Sequence, residues 1–161
     1  MLRFTLVLIL TFISFQSFTQ KPTFDNEKLS FDELKLILNS SEVEKIDDFL
    51  SKKGFLFFEK MKDSTFKWST DLKKTHFKVI YFKNDLIGSS VNLFFGDEKT
   101  LNEYFELKDE IVKKSKKVSE KIVDGVFNSF YDSRDCEVVF HKQISENKQT
   151  ILYWIELNKF K

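Results

Sequence analysis

Three short stretches of the chain alternate apolar and polar residues with a period of two. Phe66 and Trp68 alternate with Thr65, Lys67 and Ser69. Phe77, Val79 and Tyr81 alternate with His76 and Lys78, and Val91, Leu93 and Phe95 with Ser90 and Asn92. A helix with 3.6 residues per turn would scatter such residues around its axis, whereas a strand puts them on one side. One apolar and one polar face mean an antiparallel sheet that is wet on one side. Phe55–Glu59, Thr65–Thr70, Thr75–Phe82 and Ser89–Phe95 are therefore expected as strands. The links Lys60–Ser64 and Asn84-Asp85 are short, so a meander is the natural topology. The alternation predicts that Phe66, Trp68, Phe77, Val79, Tyr81, Val91 and Leu93 share the buried face. It also predicts that His76 and Lys78 look into solvent.

A sheet with one apolar face needs a cover, and the residues before it supply one. Ser30-Phe-Asp-Glu33 is a capping box, followed by the helical stripe Phe31, Leu34, Ile37 and Leu38. Asn39-Ser40 interrupts it. Ser41-Glu-Val-Glu44 reads as a second capping box, with Val43, Ile46 and Leu50 as its stripe and Lys52-Lys53-Gly54 as its stop. Both helices are too short to be stable alone in water, so Phe31, Leu34, Ile46 and Leu50 are expected on the sheet. Gly96 ends the meander. Asp97 or Thr100 then caps a third helix with Leu101, Tyr104, Phe105, Ile111 and Val112 as its stripe, placed as ending near Ser115–Lys117. Val118–Val123 is open between a helical continuation and a strand turning at Asp124-Gly125, a strong hairpin dipeptide. Val126–Tyr131, Cys136–Lys142 and Thr150–Leu157 are further strands. The expected class is α+β: a helical hairpin, a four-stranded antiparallel meander, one long helix, then three further antiparallel strands.

The 161 residues suffice for one domain with a real core. Residues 1–19 have the features of a cleaved signal peptide. Arg3 gives a positive start, Phe4–Phe15 is an apolar run, and Ser17 and Thr19 place small residues before a cut at Gln20. The run is shorter than the about 20 residues of a spanning helix, so no stable membrane anchor is expected after cleavage. Residues 20–29, with the only proline at Pro22, read as a flexible arm, and 30–161 as a single domain. The expected location is periplasmic or extracellular.

The formal net charge is +1, which argues against a nucleic-acid surface, since phosphate contacts need a net basic patch. The basic run Lys113-Lys114-Ser115-Lys116-Lys117 follows Glu103, Glu106, Asp109 and Glu110. Acids early and bases late suit a helix dipole, and the run reads as a solvated face. The chain has 20 phenylalanines and no alanine, and lysine far exceeds arginine. An AT-rich coding sequence produces this bias, so the aromatic excess needs no ligand to explain it.

The densest chemistry is Asp132-Ser-Arg-Asp-Cys-Glu-Val-Val-Phe-His141, with the only cysteine and one of two histidines. Asp132–Asp135 has turn composition. From Cys136 onward the strand period puts Cys136, Val138 and Phe140 on one face and Glu137, Val139 and His141 on the other. Cys136 and His141 therefore cannot form a nucleophile–base pair or share a zinc ion. Cys136 is expected as a buried, slow-reacting thiol. His76 shares its face with Lys78. Nucleophile elbow, Walker loop, dinucleotide fingerprint and zinc-protease motif are all missing from the sequence. No catalytic, cofactor-binding or metal-binding residue is therefore expected.

The element order of Ser30–Phe95 resembles the helix-helix-meander module of β-lactamase inhibitory proteins and of the small lipoprotein of outer-membrane assembly complexes. The likeness covers under half the chain and rests on element order. The whole also resembles small exported bacterial α+β proteins. The expected function is a non-enzymatic exported domain that binds another macromolecule, a protein. Two alternatives are a carrier of a small apolar ligand in a curved, aromatic-rich sheet, and a hydrolase using Asp132 and Asp135 with His141. An apolar cavity would favour the carrier, an exposed aromatic patch the binder, and a cleft joining His141 to two acids the hydrolase.

Overall fold

The computed structural model describes residues 28–70, 78–85, 88–95, 98–145 and 151–160. Residues 1–19, expected as a signal peptide, most of the expected arm, and His76 and Phe77 lie outside the described residues. The fold is α+β. Helices α1 (Phe31–Asn39) and α2 (Val43–Lys52) precede strands β1 (Phe55–Lys60), β2 (Thr65–Thr70), β3 (Lys78–Asn84) and β4 (Gly88–Phe95). Helix α3 (Glu98–Lys114) follows, then β5 (Lys116–Val123), β6 (Val126–Ser133), β7 (Cys136–Ile144) and β8 (Ile151–Phe160). The eight strands form one antiparallel sheet in the order β1-β2-β3-β4-β8-β7-β6-β5. Two meanders are thus joined where β8 pairs with β4.

Four strands follow α3 rather than the three expected. The extra one is β5, and the helix ends at Lys114. Val123 and Val126 face each other across a two-residue loop in which Asp124 (φ 50°) and Gly125 (φ 77°) are both left-handed. That is the backbone a primed hairpin turn needs, and an Asp-Gly pair supplies it with little strain.

The helical layer lies on one face. α1 sits over β4 and β8, α2 over β1, and α3 over β4 and β8. Phe31, Leu34, Ile37, Leu38, Ile46 and Leu50 are buried against Phe55, Trp68, Ile80, Phe82, Val91, Leu93, Val138, Phe140, Ile155 and Leu157. Leu29, assigned to the arm by sequence, is buried with them, and Lys28 bonds Glu106 of α3 at 2.8 Å. The capping box of α1 forms as expected, with Ser30 and Glu33 bonded reciprocally. The second does not. α2 starts one residue late, with Glu42 at its N-cap and no side-chain cap. The Glu42 amide donates instead to Ser40 Oγ, and the Glu42 carboxylate takes Lys45 at 2.8 Å.

Strand β3 corrects the face assignment. Ile80 and Phe82 face the helices, in register with Trp68 and Leu93 and with Phe66 and Val91. Val79 and Tyr81 face the other way. Lys78 shares the helix side with Ile80. It is buried and bonds Glu103 of α3 at 2.6 Å. The stretch Val79-Ile-Tyr-Phe82 is apolar on both faces, so its own period could not choose a side. The pairing registers of β2 and β4 chose it.

Candidate binding surface

Among the described residues, no helix covers the second face of the sheet. Its side chains follow from the register. Asn128, His141, Trp154, Phe94 and Val79 form one cross-strand row from β6 to β3. Phe130, Val139, Glu156, Asn92, Tyr81 and Lys67 form the next.

The first row is tightly ordered. The His141 and Trp154 rings stack at 4.5 Å with planes 6° apart, and Trp154 and Phe94 stack at 5.5 Å and 12°. Tyr81 meets Phe94 edge to face at 5.4 Å. Strands about 4.8 Å apart bring same-row rings to stacking distance, which makes such pairs the stabilising unit of a sheet. Lys67 lies over the Phe58 ring at 4.4 Å and bonds Glu59 at 3.4 Å. All four rings of the set, Tyr81, Phe94, Trp154 and His141, are half-buried.

His141 is held at both nitrogens. Nδ1 lies 2.6 Å from Asn128 Oδ1, and Nε2 lies 3.0 Å from Glu156 Oε2. The Asn128 amide nitrogen donates to the Val126 carbonyl, which turns its oxygen to the ring. Both partners therefore offer the imidazole an acceptor. A general base or metal ligand needs a ring nitrogen free for substrate or ion, and here each is occupied.

The structure does not bring the other reactive residues to His141. Asp132 lies on β6 four residues from Asn128, about 13 Å along the strand. Asp135 is in the β6–β7 turn, 4.0 Å from Lys35 of α1. Cys136 packs in the core on the helix side. Burial pushes its thiol up, against the opposing pull of the Ser133 hydrogen bond. His76 lies outside the described residues. Among those described, no three His, Cys, Asp or Glu side chains group to hold a metal ion.

A cavity of about 330 Å³ opens between α3 and the starts of α1 and β1. Phe55, Leu93, Phe95 and Leu107 form its apolar floor. Its rim is charged and paired: Lys28 with Glu106, Lys53 with Glu33 at 2.6 Å, and Lys78 with Glu103. It is an ion-paired seam at the layer junction, not an apolar chamber within a curved sheet.

Period two places Trp154 on the face opposite Ile155, but it carries no information about its cross-strand neighbours. The row exists because β8 inserts beside β4, a pairing between residues some 60 positions apart. No family model, curated protein or solved structure matches the chain.

Proposed function

We propose that this chain is an exported, non-enzymatic binding domain, and that the helix-free face of its sheet receives a protein partner. The observation that carries the proposal is the ordered set Tyr81, Phe94, Trp154 and His141 on a face that no helix covers among the described residues, with Asn92, Glu156 and Asn128 between and beside the rings. Aromatic side chains with fixed conformation lose little entropy on binding, and aromatic anchors among polar groups are typical of protein interfaces. Trp154 has Phe94 on one side and His141 on the other, so its ring is not free to stack on a sugar or a nucleobase. What it presents outward is an edge beside polar groups, which suits a protein surface better.

The carrier reading has less support, because the cavity is rimmed by paired charges where an apolar ligand needs apolar walls. The hydrolase reading has less support, because Asp132 and Asp135 stand away from His141. Export rests on the features of residues 1–19.

The test compares the protein with a Phe94→Lys, Trp154→Lys variant in capture from the producing cell's envelope fraction, after circular dichroism shows both folded. The expected result is a defined protein retained by the parent and lost by the variant. Retention of the same protein by both would assign binding to another surface.

A further inference from the structure

The helical layer stops short of one corner of the sheet. On the helix side, Phe95, Tyr153, Lys142, Phe127 and Ile122 form a single row from β4 to β5. Phe95 is buried beneath Tyr104 of α3, with ring centroids 5.4 Å apart. Tyr153 packs against Tyr104 and Phe105 at 5.0 and 5.9 Å. Beyond it no helix among the described residues covers the sheet. Phe127 is 45% exposed and Ile122 66%, and the opposed pair Ile144 and Ile151, further out, 50% and 44%. Phe105, on the flank of α3, is 44% exposed. Floor and flank together make an apolar step.

We propose that this step is the interface of a twofold-symmetric dimer, in which the β5–β6 ribbon of each copy lies on the floor of the other and abuts its α3. Size is the first reason. Five side chains about half exposed present roughly 500 Å² of largely apolar surface, the upper end of what monomers show. A pair would bury about 1,000 Å², where specific interfaces begin. Shape is the second. Facing sheets pack about 10 Å apart, close to the width of a helix. A neighbouring ribbon can thus fill over β5–β7 the layer that α3 fills over β4 and β8, and a step fits its own copy under a twofold. Charge is the third. Lys142 lies beside Phe127 on β7, and Glu120, paired with Lys117 at 2.8 Å, lies on its other side on β5, so a twofold running along β6 brings Lys142 to the Glu120–Lys117 pair of the other copy. A different protein or a lipid surface is the competing occupant.

Sedimentation equilibrium of the purified protein from about 1 to 200 μM tests this. The expected result is a monomer–dimer equilibrium in the micromolar range. Phe127→Glu and Ile144→Glu should each weaken it by at least about tenfold. Both sites are exposed, so the circular dichroism spectrum and Tm should stay near those of the parent. Leu36→Glu, at an exposed site on α1, should leave the dimer unchanged. A monomer throughout, or a dimer indifferent to both variants, would overturn the proposal. So would a monomer that co-sediments with vesicles of anionic lipid and loses them on Phe127→Glu, which would give the step to a membrane.

Discussion

Lys78→Met should destabilise the protein by about 2–4 kcal/mol, although strand alternation alone puts this lysine in solvent. Its side chain is 3% exposed, and its ammonium bonds the Glu103 carboxylate, itself 21% exposed, at 2.6 Å. Methionine keeps most of the stem's length and apolar contact, so the packing loss is small. What goes is the cation, leaving a largely dehydrated carboxylate without its partner. Removing one member of a buried pair costs about 3–5 kcal/mol. The figure is lowered here because water can reach part of Glu103. For a domain of this size each kcal/mol moves Tm by about 2–4 °C, so the variant should melt roughly 5–15 °C below the parent. Lys78→Met with Glu103→Leu removes both charges and should recover most of the loss, since apolar replacements of buried pairs are near neutral or better. Urea unfolding followed by far-UV circular dichroism measures all three differences and gives the coupling directly. A single Lys78→Met change within about 0.5 kcal/mol of the parent would refute the buried pair and return Lys78 to solvent.

Trp68 is fully buried, its indole N–H donates to Asp47 at 2.8 Å, and Phe57 and Phe66 pack beside it. Trp68→Ala should cost about 3–5 kcal/mol by chemical denaturation, and a parent-like midpoint would place the ring at the surface. Burial pushes Glu33 up, but the Lys53 ammonium and the Ser30 N–H and O–H together outweigh it and hold the carboxyl below its usual range. A lowered folded value means that the contribution is present above the ordinary value of about 4.5 and fades as pH falls through the lowered one. Glu33→Gln should therefore flatten the acid limb of a Tm–pH curve, and an unchanged acid limb would count against the pairing. Cys136, with its thiol pushed up by burial, should label slowly with a thiol reagent at neutral pH and rapidly in urea. Equal rates in both would show the sulfur exposed.

Local chemistry alone determines much of this chain. The Ser30–Glu33 box starts α1, the 3.6-residue stripes choose the helix faces, and Asp124-Gly125 permits the β5–β6 turn. Period two separates Cys136 from His141, because neighbouring side chains of a strand must point opposite ways. Each of these rests on residues within a few positions of one another. The order β4-β8-β7 was not legible, since sheet pairing is set by which edges meet when the second meander docks. Hence the Phe94–Trp154–His141 row was invisible, although each of its members lay in an expected strand. β5 was half-legible: Val118–Val123 suits either period, and only pairing with β6 decides it. For β3, both faces are apolar, so alternation carried no information about which side the helices would take. Lys78 ended under them because its neighbours Ile80 and Phe82 went there, and the acid on α3 that receives it lies 25 residues further along the chain.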